Sequence, residues 1–162
     1  MLMEMTRAKL VSLLKENRVQ EWNQWRENNY ASFVELQDVN LSNLDLREVN
    51  FRHTLLNNTN LQGTDLRGAD FEGTSLGNAD FRNADLRNVT FDKRNWSGRM
   101  GADLRGANLS GADLKSSQLH NVKLRGAKLI GADLRSVDLR GLDLSDTDLR
   151  DSNLRHVRAL GT

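Results

Sequence analysis

Histidine is the usual general base near neutral pH, and the 162 residues hold only three: His53, His120 and His156. Serine and threonine are plentiful, yet none stands in a pattern with His and Asp that would build a nucleophile. No GxxxxGK loop is present to cradle a phosphate. Cysteine is absent, which excludes thiolate metal sites, cysteine nucleophiles and disulfides. The remaining chemistry is charge. Asp45-Leu46-Arg47, Asp65-Leu66-Arg67 and Asp85-Leu86-Arg87 repeat the same unit at intervals of twenty. Lys93, Arg94 and Arg99 cluster around Trp96, with Arg82 before them and Arg105 and Arg125 after. Such a group could contact an anion or an acidic protein; alternatively, Asp80 and Asp103 simply satisfy their neighbouring arginines. No catalytic residue, metal ligand or cofactor is assigned.

The overall balance narrows the partners. Twenty-three basic and 22 acidic residues leave a net charge of +1, a mixed solvated surface with no bulk bias toward nucleic acid or membrane. Glu4, Arg7, Lys9 and Lys15 interrupt the apolar residues of the N-terminal stretch, so it has neither a signal-peptide core nor a transmembrane span. A cytoplasmic protein is expected. Mean hydropathy is -0.62 with 6% aromatics, poor for an ordinary globule and suited to an elongated repeat.

The elements that must position these charges are written in stretches such as ADLRGANLSGADLK (102–115), where Leu104, Leu109 and Leu114 recur every five residues. A five-residue step scatters the leucines around an α-helix and flips them between the faces of a strand. The repeat is therefore a turn-by-turn unit that buries its apolar side by stacking. Large apolar centres run in register from Leu36 to Phe91 and Trp96, then from Leu104 to Leu154, twenty-four in all. The single exception is a step of eight between Trp96 and Leu104, which implies three extra residues.

This pattern resembles the pentapeptide-repeat family, with its motif A-(D/N)-L-x-x, over roughly residues 34–156. The resemblance implies an all-β solenoid, a right-handed quadrilateral β-helix of about six coils in which four pentads make one coil. The centre and the residue two before it point inward. Phe51, Phe71 and Phe91 then stack in one column, and the Asp/Arg units form an alternating ladder whose exposed pairs add little each. Inward small positions read Val39, Thr59, Ala79 and Leu44, Thr64, Ala84. Gly63, Gly68, Gly106, Gly111, Asn78 and Asn83 suit corners at positive φ. His53 and His156 fall in the first and last coils, about 24 Å apart at the ladder spacing, and cannot share a site.

Residues 1–33 are assigned to an N-terminal helical cap and 34–162 to the β-helix. Leu10, Leu13, Leu14, Trp22 and Trp25 fall at helical spacings, with Asn17 as a cap between two short helices. The tryptophans either form a stacking platform for a ligand or cover the open solenoid end. A WNxWR-like stretch in the caps of some family members matches the second reading. At the other end RHVRALGT follows Leu154, and either Val157 and Leu160 cover the last coil or a second copy does, as a weak tail-to-tail dimer.

The segment FDKRNWSGRMGADL (91–104) resembles an interruption seen in the family, with Arg94 where a Thr is expected and no Pro. Two registers compete. In the favoured one Trp96 packs inside while Arg94 bulges outward, and Arg82, Arg105 and Arg125 then project from one side. In the other, residues 92–101 loop out and the next coil follows Phe91 directly. The loop is either functional or a tolerated insertion.

The leading functional expectation is a non-catalytic, rigid protein-interaction module with an unidentified protein partner, its contact surface formed by Arg82, Lys93, Arg94, Trp96, Arg99, Arg105 and Arg125. Some family members mimic B-form DNA and protect or inhibit DNA gyrase. That role needs an acidic surface, and residues 36–162 carry 18 basic and 17 acidic residues. Direct nucleic-acid binding would want a sustained basic stripe, whereas bases here alternate with acids.

Overall fold

The computed structural model describes residues 5–92 and 101–159. Its N-terminal part is a helix pair, α1 (Arg7–Lys15) and α2 (Val19–Asn28). Thr6 caps α1, its hydroxyl accepting from the Lys9 amide. Asn17 lies between the two helices as expected, but it does not cap the start of α2, whose N-cap is Arg18. It closes α1 instead, at φ 55, with the Asn17 amide bonded to Leu14 O and the Arg18 amide to Leu13 O. Asparagine tolerates this left-handed position at a helix C-terminus.

From Val34 onward the chain climbs a parallel ladder. Among the described residues only β1 (Val34–Glu35) and β2 (Thr54–Leu55) are long enough to be strands, and they pair with Val34 opposite Thr54. Isolated bridges continue the same spacing, Asn40 to Asn60 to Asp80 and Asp45 to Asp65 to Asp85. Away from the interruption each bridge joins residues twenty apart, which is four pentads per coil. Within a pentad, the amide three residues after the centre returns to the centre's carbonyl, as from Ala69 to Leu66. The residue before it, Gly68 in this case, lies at φ 71, and every fifth residue turns the same way.

The preference for Asp or Asn before the centre follows from that corner. Asn40 Oδ1 accepts from the Ser42 amide at 3.0 Å, and Asn60, Asp80 and Asp113 repeat the bond two residues on. Inside, the described centres from Leu36 to Leu139 are buried, and Phe51, Phe71 and Phe91 stack as expected, with centroids 5.5 and 5.4 Å apart. Threonine is tolerated at the small inward position because its hydroxyl finds a carbonyl in the coil before. Thr59 donates to Leu36 O at 3.0 Å, Thr64 to Leu41 O at 2.8 Å and Thr74 to Phe51 O at 2.7 Å.

The register across the interruption differs from the favoured one. Ser75 pairs with Asp103, a step of 28, and Asp80 with Asn108. The Ala102 amide returns to Phe91 O at 3.0 Å, closing the corner of the Phe91 pentad. Leu104 is thus the next centre after Phe91, and it takes the place beneath Leu76 that Trp96 would need. Eight residues are extra, not three, and the chain leaves and rejoins the coil at a corner, between Asp92 and Gly101. The physical reason is that a corner takes added chain while the ladder bonds on either side stay intact.

The helix pair covers the first coil. Trp22 is buried, with its ring 5.7 Å from Phe51 and its indole N–H donating to Asn50 O at 2.8 Å. Asn23 donates to Glu48 O and accepts from the Asn50 amide. Arg26 donates to Arg52 O, and Arg7 to Glu35 O and Gln37 O. These side chains occupy ladder groups that no earlier coil can reach, which is what a solenoid end requires. At the far end Leu144, Leu149 and Val157 are only partly buried, and Leu154 is 44% exposed. Val157 bonds back to Leu154 O as the inward residue of its own turn and does not fold over the coil; Leu160 lies outside the described residues.

Candidate functional site

Where an aspartate precedes a centre and an arginine follows it, the two side chains pair. Arg82 Nε and Nη2 donate to the two oxygens of Asp80 at 2.9 and 2.6 Å, and Arg105 grips Asp103 at 2.9 and 2.7 Å. The fork geometry matches two parallel N–H bonds to one carboxylate. These bonds hold the carboxyls of Asp80 and Asp103 below the usual aspartate value and raise both arginines. Arg125 has a looser partner, Asp146, at 3.3 Å.

The corrected register separates these three arginines. Arg105 and Arg125 follow Leu104 and Leu124, which stack in one column, whereas Arg82 follows Phe81 in the column of Leu109. They do not project from one side. Lys93, Arg94, Trp96 and Arg99 lie outside the described residues.

On a third side the Asp/Arg ladder is continuous and crosses the interruption. Arg47 bonds Asp45 at 2.6 Å and approaches Asp65 at 3.8 Å; Arg67 bonds Asp65 at 2.6 Å and approaches Asp85 at 3.6 Å. Arg87 links Asp85 to Asp113, and Lys115 links Asp113 to Asp133. The side is a flat lattice of alternating, mutually neutralised charge. Catalysis is not what such a surface offers, since each acid and base is committed to the other.

Sequence reasoning missed a second region. Between the C-terminal end of α2 and one corner of the coils lies a cleft of about 880 Å³. Tyr30 and Phe33 stand on its rim, 75% and 71% exposed, while the other large apolar side chains apart from Leu154 are buried or half-buried among the described residues. The Phe33 ring meets His53 edge-on at 6.2 Å. Arg26, only 1% exposed, lines the inner wall with Arg52. Arg52 Nη2 lies 2.9 Å from Oε2 of the fully buried Glu72, off the line of a good hydrogen bond. A signal was available: Phe33 is the one phenylalanine out of step with the five-residue register, and Tyr30 is the only tyrosine.

The histidines do not converge. His53 and His156 occupy corners of different coils, and His120 follows the centre Leu119. Among the described residues no group of three or more His, Asp or Glu is placed to hold a metal, and no helix is long and apolar enough to cross a membrane.

Among known structures the chain resembles a trypsin-treated variant of QnrB1, a plasmid-mediated fluoroquinolone resistance protein, at 16% identity over 76% of this chain and 67% of that one, with TM-score 0.45. It is similar to Rfr23, a pentapeptide repeat protein from the cyanobacterium Cyanothece 51142, at 21% identity over 87% and 95% of the two chains, TM-score 0.36. HetL from Nostoc sp. strain PCC 7120, a pentapeptide repeat protein involved in heterocyst differentiation regulation, matches at 24% identity over 77% and 86%, TM-score 0.24. No curated protein matches the chain. The family profiles described as pentapeptide repeats match residues 35–73, 101–129 and 117–155, and a second such profile matches residues 56–95. With its five-residue register and twenty-residue ladder period, the chain belongs to the pentapeptide-repeat family.

Proposed function

We propose that the protein is a non-catalytic, cytoplasmic protein-interaction module: a right-handed quadrilateral β-helix of about six coils that presents fixed surfaces to a protein partner. The observation that carries this reading is the commitment of the outward charges to one another in Asp–Arg forks, beside an exposed aromatic pair at the cap. Rigid flat sides and a small apolar patch suit recognition. The basic residues Arg82, Lys93, Arg94, Arg99, Arg105 and Arg125, with Trp96, remain proposed contacts, with Arg105 and Arg125 on one side and Arg82 on another. Capture of partners from the native cell, followed by reconstitution with the purified partner, tests the reading. A saturable complex supports it, and the absence of any reconstituted complex rejects it.

DNA mimicry is disfavoured by the charge balance, because a surface at net +1 does not reproduce a polyanion. Self-association through the last coil is a second contact, motivated by Leu154 at 44% exposure beside the half-buried Leu144 and Leu149.

A further inference from the structure

We propose that the cleft between α2 and the first coils binds an extended segment of a partner protein in which a bulky apolar side chain stands next to a carboxylate. The inference deepens the protein-interaction reading and rests on it.

The apolar half of the specificity comes from Tyr30, Phe33 and Leu55. Two aromatic rings exposed by more than two thirds are a cost in water that a bound side chain would relieve. Elsewhere in the described chain the aromatic rings of Phe51, Phe71, Phe81, Phe91 and Trp22 are all fully buried.

The acidic half comes from the inner wall. Arg26 is almost completely buried, and its guanidinium donates only to carbonyls: Nη1 to Asn29 O and Ser32 O, Nη2 to Arg52 O. Its Nε has no acceptor, and neither has Nε of Arg52 beside it. Burial holds the Arg26 guanidinium below its usual value, and the neighbouring Arg52 charge pushes the same way. Arg52 has Glu72 as counter-charge, but among the described residues no carboxylate pairs with Arg26. Of the two acids lining the cleft, Asp103 is already gripped by Arg105, which leaves Glu27. A buried cation with a vacant N–H and no ion partner is stabilised by an incoming anion. The Arg52 side chain is 31% exposed, so a carboxylate approaches the arginine pair from its side.

A peptide satisfies both halves at once, with the apolar group between Tyr30 and Phe33 and the carboxylate against the arginines. The test is a titration of the isotope-labelled full chain, followed by NMR, with the acetylated and amidated tripeptide Glu-Phe-Glu. Signals of Tyr30, Phe33 and Leu55 should shift with a dissociation constant of about 1 mM, as befits a single anchor. The tripeptide Lys-Phe-Lys should bind at least about tenfold more weakly. Tyr30→Ala/Phe33→Ala should abolish the shifts, and Arg52→Gln should weaken Glu-Phe-Glu about tenfold while leaving Lys-Phe-Lys unchanged. Arg52→Gln strands Glu72, so the exposed-ring variant carries the test if that protein does not fold. Equal binding of both peptides, shifts confined to other surfaces, or no shift overturns the proposal. Tighter binding of a thymidine pentanucleotide also overturns it and assigns the cleft to single-stranded nucleic acid. If a reconstituted partner complex survives Tyr30→Ala/Phe33→Ala, the cleft inference fails while the interaction-module reading stands.

Discussion

Truncating Leu109 to alanine removes a fully buried centre from a column that cannot collapse sideways, because the ladder fixes the coil spacing. The expected loss is about 2–5 kcal/mol, read from urea or thermal unfolding. Leu66→Asp is harsher. Its carboxylate would face an interior in which Thr59 and Thr64 are already committed to carbonyls, so the chain should fail to give a cooperative transition. The Asp–Arg forks make a different contribution. Asp45, Asp85 and Asp133 titrate below the ordinary carboxylate range because the arginine bond favours the charged form. A depressed folded-state value gives stability that is complete above about pH 4 and is lost as the pH falls through the lower, folded-state values. Melting temperature should therefore decline on acidification below about pH 4, and 1 M salt should shrink that decline because the pairs are exposed. A melting temperature flat from neutral pH down to strongly acid conditions would contradict it.

Two elements interrupt the repetition, the cap and the insertion, and each has its own test. Asn23 bridges the cap to the first coil through Glu48 O and the Asn50 amide, so Asn23→Ala should cost about 1–2 kcal/mol in thermal unfolding. The insertion tests the register directly. Removing residues 93–100 brings Asp92 to Gly101, placing a glycine at the corner and leaving Leu104 five positions after Phe91. That deletion should fold with a melting temperature near the parent's, because the turn bond from Ala102 and the ladder bond from Asp103 are kept. Removing only residues 97–99, which sets Trp96 five positions before Leu104, should not improve stability. A folded, more stable three-residue deletion with an unfolded eight-residue one would restore Trp96 as a centre.

The whole molecule carries balanced charge, and the two ends of its described coils differ. At net +1 the purified protein should leave gyrase supercoiling and its sensitivity to inhibitors unchanged at equimolar amounts. Clear protection would revive DNA mimicry. At the last coil, sedimentation of the intact chain should show weak concentration-dependent dimerisation that Leu154→Asp removes. A monomer at high concentration in both proteins would eliminate that contact.

The periodic parts of this protein were written in its sequence. The column of Phe51, Phe71 and Phe91, the inward threonines and the ladder from Asp45 to Asp85 all follow from counting in fives and twenties. Counting works there because each pentad's bonds are local: an Asx bond two residues on, a turn bond three residues on, and a rung to the same position one coil away. The non-periodic parts were settled only by tertiary packing. Where Leu104 stacks depends on which corner absorbs extra chain, and that choice moved Arg82 off the side shared by Arg105 and Arg125. Arg26 is buried and Phe33 exposed because α2 must lay its donors over residues 48–52. No local pattern encodes that docking angle: it is fixed by hydrogen bonds between residues more than twenty positions apart, such as Trp22 to Asn50.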